Sequence, residues 1–320
     1  SDFIELLSVN FNSKELNELG KLVVKNYDAH EIHGIKNHIT VSPRRGADIL
    51  VNFCEEKRKT KNLIKLIVEL DDSIVNGKHV VLKGLDNFLC HLAQQGYVYD
   101  FKTRKVLDGC HDVEERANWG SLRDGKIYDV TVMSIDIVGN SKLVKRNGMK
   151  KMEAFYHQFW QFMKNKLYSY DGRLWSWAGD GGILAFTFKD HINKAALFAI
   201  EVQCNMPVFN LRPDKPVDTN IEVRIGIDTG KVKFCNDTGR IVSDTVNYAA
   251  HLEKKGTQPG KIAVSDRVFC KLDPASASIF IDGGPFEDRN SWITYRRLDD
   301  MFFQLPGDTR IKGRKLRKGA

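Results

Sequence analysis

The sequence lacks the marks of several protein classes. No two of its six cysteines (Cys54, Cys90, Cys110, Cys204, Cys235 and Cys270) stand at CxxC spacing. That excludes a zinc knuckle or a small disulfide scaffold and fits a reducing cytoplasm. No apolar run approaches the roughly 20 residues that a membrane span requires. The first residues, Ser1 to Val9, carry acids and no basic segment, so no signal peptide is expected. There is no internal repeat and no low-complexity tract. Acids are outnumbered: 49 Lys and Arg stand against 41 Asp and Glu, a net charge of +8. Such an excess points to nucleic acid, a membrane surface or a phosphate-rich substrate. Six of the bases fall between Arg310 and Lys318, read as a solvated tail, and the body is then only mildly basic. What is present is a globular composition, 42% hydrophobic and 28% charged, in a length that suggests about two domains.

The two regions read differently. Up to about Asp108 the apolar residues recur at helical spacing: Leu16, Leu19, Leu22, Val23 and Tyr27, then Ile49, Leu50, Phe53 and Cys54, then Leu63, Ile64, Ile67 and Leu70. Ser42-Pro43 reads as a helix start. The expectation is an N-terminal helical bundle over 1–108, without an acid/base cluster, metal spacing or glycine-rich phosphate loop. His30, His33 and His38 read as exposed or capping residues. A linker over 109–127 follows. From Tyr128 the texture becomes α+β: a strand over 128–135, a helix over about 142–168 and two short strands over 172–177 and 182–188. A helix over 191–206, a strand over 221–227, a helix over 244–254 and a strand over 261–264 complete the series. This βαββαβ order predicts a ferredoxin-like sheet in a domain over 128–300, with a basic tail over 301–320.

Asp136 ends the first apolar strand, and Asp180 sits in the Gly179-Asp180-Gly181 turn between two others. Carboxylates at the ends of adjacent strands are hard oxygen donors that can hold Mg²⁺ or Mn²⁺ over a phosphate. Gly139 and Asn140 open the next helix, where backbone N–H groups can meet phosphate oxygens. Turn-capping acids explain either signal alone equally well.

Four motifs together resemble the class III nucleotidyl cyclases, in order, over about Asp129 to Leu298. Ser134-Ile-Asp136-Ile-Val-Gly139-Asn-Ser141 resembles their first metal motif, and Trp177-Ala-Gly179-Asp180-Gly181-Gly182 their second metal turn. Val223-Arg224-Ile-Gly226-Ile-Asp228-Thr-Gly230 resembles the strand carrying a phosphate-binding arginine. Ser243-Asp244-Thr-Val-Asn247-Tyr-Ala-Ala-His251-Leu-Glu253 resembles the helix carrying the catalytic asparagine. The resemblance implies two ions, Mn²⁺ or Mg²⁺, per site, held by Asp136, Asp180 and the Ile137 carbonyl. It implies that Arg224 grips the β and γ phosphates, that Asn247 orients the ribose, and that Gly139 and Asn140 meet the substrate. It also implies a homodimer with two shared sites, since the family's site lies between two catalytic domains.

Three positions depart from the family pattern. His251 stands where the family has the arginine that stabilises the transition state; a protonated imidazole can serve there. Ser176 and Arg240 stand at the positions that read the purine base. A short hydroxyl and a long guanidinium fit a smaller base, and the whole chain resembles the pyrimidine cyclases of bacterial Pycsar antiphage systems. Arg240 has only donors: at the 4-position edge it can pair with uracil O4 but not with the cytosine amino group, whereas at O2 it would not distinguish the two bases. The expected reaction is therefore cyclisation of UTP to 3′,5′-cyclic UMP and pyrophosphate. CTP, a purine nucleotide or a nucleotide-sensing pseudoenzyme are the alternatives, and Arg240 in an interface ion pair is the alternative at that position. In the N-terminal region, Ala47 to Leu70 resembles the death-like helical domains of immune operons. That implies an adaptor or regulatory module, with a phage-sensing partner, beside the plainer alternative of a stabilising extension. A basic nucleic-acid-binding protein on the same sheet is disfavoured, because Trp175 and Trp177 alone make a thin stacking surface.

Overall fold

A computed structural model describes residues 2–32, 34, 41–75, 77–110 and 112–298. The basic tail lies outside them, as do His33 and His38. The chain divides into two units, Ser1–Arg123 and Asp124–Ala320.

The first unit contains helices α1 (Asp2–Asn10), α2 (Ser13–Val23), α3 (Ala29–Ile32), α4 (Pro43–Glu56), α5 (Thr60–Leu70) and α6 (Leu85–Gln94). Two hairpins accompany them, β1 (Ile74–Val75) with β2 (Lys78–His79) and β3 (Val98–Asp100) with β4 (Lys105–Leu107). Local chemistry starts the helices. The Asn12 side chain accepts from the Lys14 and Glu15 N–H groups, while the Glu15 carboxylate accepts from the Asn12 N–H, a reciprocal capping box. Ser42 accepts from the Arg45 N–H, with Pro43 pre-set for the first helical position. Helix α4 packs against α1, α2, α3 and α5. Leu7, Leu16, Ile49, Leu50, Leu63 and Ile67 close one apolar core between them.

The second unit is built on a seven-stranded sheet. Its elements are β5 (Ile127–Ile137), α7 (Asn140–Asn147), α8 (Met149–Ser169), β6 (Arg173–Ala178), β7 (Gly181–Thr187), α9 (His191–Asn210) and β8 (Val223–Lys233). They continue with α10 (Asp244–His251), β9 (Ile262–Ser265), α11 (Asp266–Phe269), α12 (Pro274–Ala277), β10 (Phe280–Phe286) and β11 (Arg289–Thr294). The strand order is β10-β11-β9-β8-β5-β7-β6. Strands β8-β5-β7-β6 are antiparallel and form the βαββαβ core; β9 joins β8 in parallel, as a crossover through a helix requires. Side chains alternate along β5. Met133, Ile135 and Ile137 pack with Phe155, Phe159 and Met163 of α8 and Phe198 and Val202 of α9. Ser134 and Asp136 therefore take the opposite face, along with their cross-strand partners Gly226 and Arg224 of β8.

Several elements depart from the sequence expectation. The helix expected over 142–168 is two helices, because Gly148 takes φ 81°, a value glycine adopts freely. Strand β8 extends to Lys233 because pairing with β5 continues to Ile127. The helix expected over 244–254 is regular only to His251 and then widens into a π turn, Leu252–Gly256. The β10–β11 hairpin has no counterpart in the expectation.

Candidate active site

Asp136 lies at the penultimate position of β5, directly across from Gly181 of β7 and Arg224 of β8. The turn holding Asp180 is tied to β5, since the Ile137 N–H donates to the Asp180 carbonyl at 3.1 Å. A Cβ on Gly181 would lie 2.3 Å from the Ile135 carbonyl oxygen, so only glycine lets the turn approach this closely. Arg224 donates from Nη2 to Asp136 Oδ2 at 2.7 Å and from Nη1 to the Lys254 carbonyl at 3.4 Å. Its Nε stands 3.0 Å from Glu253 Oε1 as an ion pair, although the N–H is not aligned for a hydrogen bond. Burial raises the Asp136 carboxyl above its ordinary value, outweighing the Arg224 hydrogen bond, and the charge of Asp180 adds to the rise. Burial likewise pushes the Glu253 carboxyl up to about 7, helped by the charge of Asp136.

Among the described residues no three or more His, Cys, Asp or Glu side chains form a metal cluster. Two carboxylates with part of the coordination shell left open suit Mg²⁺ or Mn²⁺, which take substrate phosphates and water as remaining ligands. The donor set therefore fits the metal the sequence implies. Gly139 caps α7 in the left-handed region at φ 69°, and the Asn140 side chain accepts from the Tyr156 hydroxyl at 2.5 Å.

The β6 strand carries a bulge. Leu174 pairs with Leu184 but Ser176 pairs with Ile183, leaving Trp175 as the extra residue. Leu184 belongs to the core on the α8 and α9 face. Ser176 is thereby turned to the other face, shared with Ser134 and Asp136, where simple alternation would not have put it. The 3₁₀ turn Thr238–Arg240 lies against this strand, with the Thr238 hydroxyl donating to the Trp175 carbonyl at 2.5 Å. The segments bearing Ser176 and Arg240 thus meet. The Arg240 side chain is 82% exposed and pairs with Asp237 at 3.0 Å.

Helix α10 starts at Ser243, whose hydroxyl accepts from the Val246 N–H at 3.1 Å. It lies close on β8 because residue 226 is glycine: a Cβ there would meet the Ala249 carbonyl oxygen and the Glu253 nitrogen at 2.4 Å each. Asn247 and His251, four residues apart, share its exposed face. Beneath the helix, fully buried Asp228 accepts from Ser265 Oγ at 2.6 Å and Arg289 Nη1 at 3.1 Å. Arg289 also bonds Asp244 in the first turn of α10 and lies 4.3 Å above the Tyr248 ring. Sequence reasoning assigned no role to Glu253, Glu287 or Arg289. Glu253 ends a motif already singled out, but only the π turn explains why it faces Arg224 and not solvent.

The family model for the adenylate and guanylate cyclase catalytic domain matches residues 123–287, just over half of the chain. The chain belongs to this family. Among solved structures, it is similar to the guanylate cyclase domain of RhGC from Catenaria anguillulae, at 21% identity and TM-score 0.45, over 54% of this chain and 99% of that one. It is also similar to the adenylyl cyclase CyaB from P. aeruginosa, at 21% identity and TM-score 0.45, over 52% and 93%. A third is the monomeric guanylyl cyclase domain of RhoGC from Blastocladiella emersonii, at 22% identity and TM-score 0.45, over 55% and 99%. No curated protein sequence matches the chain. Its catalytic unit is thus a nucleotide cyclase domain of mixed α+β structure. Among the described residues no helix is long and apolar enough to cross a membrane.

Proposed function

We propose that this cyclase converts UTP to 3′,5′-cyclic UMP and pyrophosphate in the cytoplasm, as a second messenger of antiphage defence, acting as a homodimer with two shared sites. The observation that carries the reading is the gathering of Asp136, Arg224 and the Asp180 turn at one end of the sheet, with the Ser176 and Arg240 segments meeting on neighbouring elements. Asp136, Asp180 and the Ile137 carbonyl would hold Mg²⁺ or Mn²⁺, which when bound acidifies the ribose 3′-hydroxyl and neutralises triphosphate charge. Arg224 exchanges its bond to Asp136 for the β and γ phosphates, for which its planar fork is suited. Asn247 orients the ribose for in-line attack on the α-phosphate, Gly139 and Asn140 meet the phosphates, and protonated His251 donates to the transition state. The rest of the catalysis is positioning and charge neutralisation.

Arg240 would read the base. Its pair with Asp237 is exposed and costs little to break, at most about 1 kcal/mol. Released, the guanidinium gains a bond to uracil O4 but opposes the cytosine amino group, a difference of roughly 1–3 kcal/mol. The same Asp237 pair favours a second reading, in which Arg240 does not read the base and the substrate is a purine nucleotide. The metal assignment is tested by Asp136→Ala and Asp180→Ala. Each should lower pyrophosphate release about a hundredfold or more while the circular dichroism and dimer are retained; near-native turnover in either contradicts it.

A further inference from the structure

We propose that Glu287 is a positioning residue for His251, holding its Nδ1–H so that in the protonated ring Nε2–H is the donor presented to substrate. The inference rests on the reading of His251 as part of the cyclase site. His251 Nδ1 and Glu287 Oε1 are 2.7 Å apart. A carboxylate has no hydrogen to give, so Nδ1 is the donor. Both side chains are roughly half exposed, and such a pair adds little to stability.

Two further features show that Glu287 is held in place. It is the first residue of the two-residue turn that closes β10 on β11, between the paired Phe286 and Arg289. There it takes φ 53°, a left-handed conformation that glycine, asparagine or aspartate adopts more readily than glutamate. The tip is also pinned to α10 one turn before His251. The Tyr248 hydroxyl donates to the Phe286 carbonyl at 3.3 Å, and the two rings meet edge to face with centroids 5.7 Å apart. A glutamate kept at a strained turn position, for a contact of little stabilising value, has its use in orienting the histidine. Carboxylates play this part for histidines elsewhere by fixing tautomer and ring direction.

Glu287→Gly separates this role from a structural one, because glycine suits the turn. The melting temperature should be unchanged or higher. The protonated ring carries hydrogen on both nitrogens, so the ¹⁵N spectrum of the His251 ring, assigned by its loss in His251→Gln, is recorded on the neutral ring, where it should show the proton on Nδ1 in the wild type and largely on Nε2 in Glu287→Gly. The kcat should fall about tenfold with KM within about twofold. Glu287→Gln, whose amide oxygen still accepts, should recover most of both. A Glu287→Gly spectrum that keeps the wild-type proton position overturns the proposal, as does an active Glu287→Gly with unchanged kcat. If the wild type cyclises no nucleotide, the proposed function fails, and the ring spectrum alone then decides whether Glu287 orients His251.

Discussion

Arg224 is held by partners of two kinds. Asp136 is a metal candidate at a strand end, whereas Glu253 is a buried residue of the π turn itself. On the proposed reading, in which the guanidinium turns to phosphate, Asp136 is the partner it would give up and Glu253 the one that would keep its Nε edge in place. This arrangement has a cost that pH reveals. The Glu253 carboxyl is raised from its ordinary 4.5 to about 7. Between those values the unfolded chain releases the proton before the folded chain does, so stability falls as pH rises through the window. The loss amounts to about 3 kcal/mol from Glu253. Asp136, also raised, adds to it with the same sign. Unfolding by urea in the presence of a chelator, from about pH 5 to about pH 8, should show a clearly shallower decline for Glu253→Gln than for the wild type. Parallel declines would mean that Glu253 is not held in its neutral form.

Helix α10 is held by one buried charge network that joins β8, β11 and its own first turn. Asp228 and Arg289 are almost fully buried, and Asp244 completes the link to the helix. Burial pushes the Asp244 carboxyl up, but its bonds to Arg289 and Arg267 outweigh this and leave it lowered. Arg289→Met removes the closest cation from the buried Asp228 carboxylate, which keeps only the Ser265 hydroxyl and the more distant Arg267. The expected loss is about 3–5 kcal/mol in chemical denaturation. Adding Asp228→Asn should restore part of it, since the two changes remove one interaction; a single-variant loss below about 1 kcal/mol contradicts this account of the helix. Much of this part of the fold was legible beforehand. Asp136 at a strand end, the Asp180 turn and the α10 face stand where the sequence puts them, because each sits at a boundary that local chemistry marks, namely a strand end, a glycine turn or a serine cap; Arg224, central in the strand expected over 221–227, instead lies at the start of β8, which begins only at Val223. The bulge at Trp175, the π turn and the β10–β11 hairpin were not legible. Their causes are pairing register and contacts between distant segments, and neither leaves a periodic trace in the sequence.

For the whole molecule, the exposed Asn247 and His251 suit a surface completed by a second copy, as the proposed homodimer requires. The mild net charge of the body suits a polyanionic small substrate better than a nucleic acid. On the proposed reading, this assembled chemistry cyclises a pyrimidine triphosphate. The direct measurement is to incubate the purified protein with Mn²⁺ and an equimolar mixture of ATP, GTP, CTP and UTP, and to resolve the cyclic products alongside pyrophosphate. Cyclic UMP should be the main product, with cyclic CMP lower by about ten- to a hundredfold and purine products lower still, and with the UTP preference lost in Arg240→Ala. A cyclic purine as the main product, or a preference unchanged in Arg240→Ala, would contradict the base assignment, and no pyrophosphate from any of the four would contradict cyclisation itself.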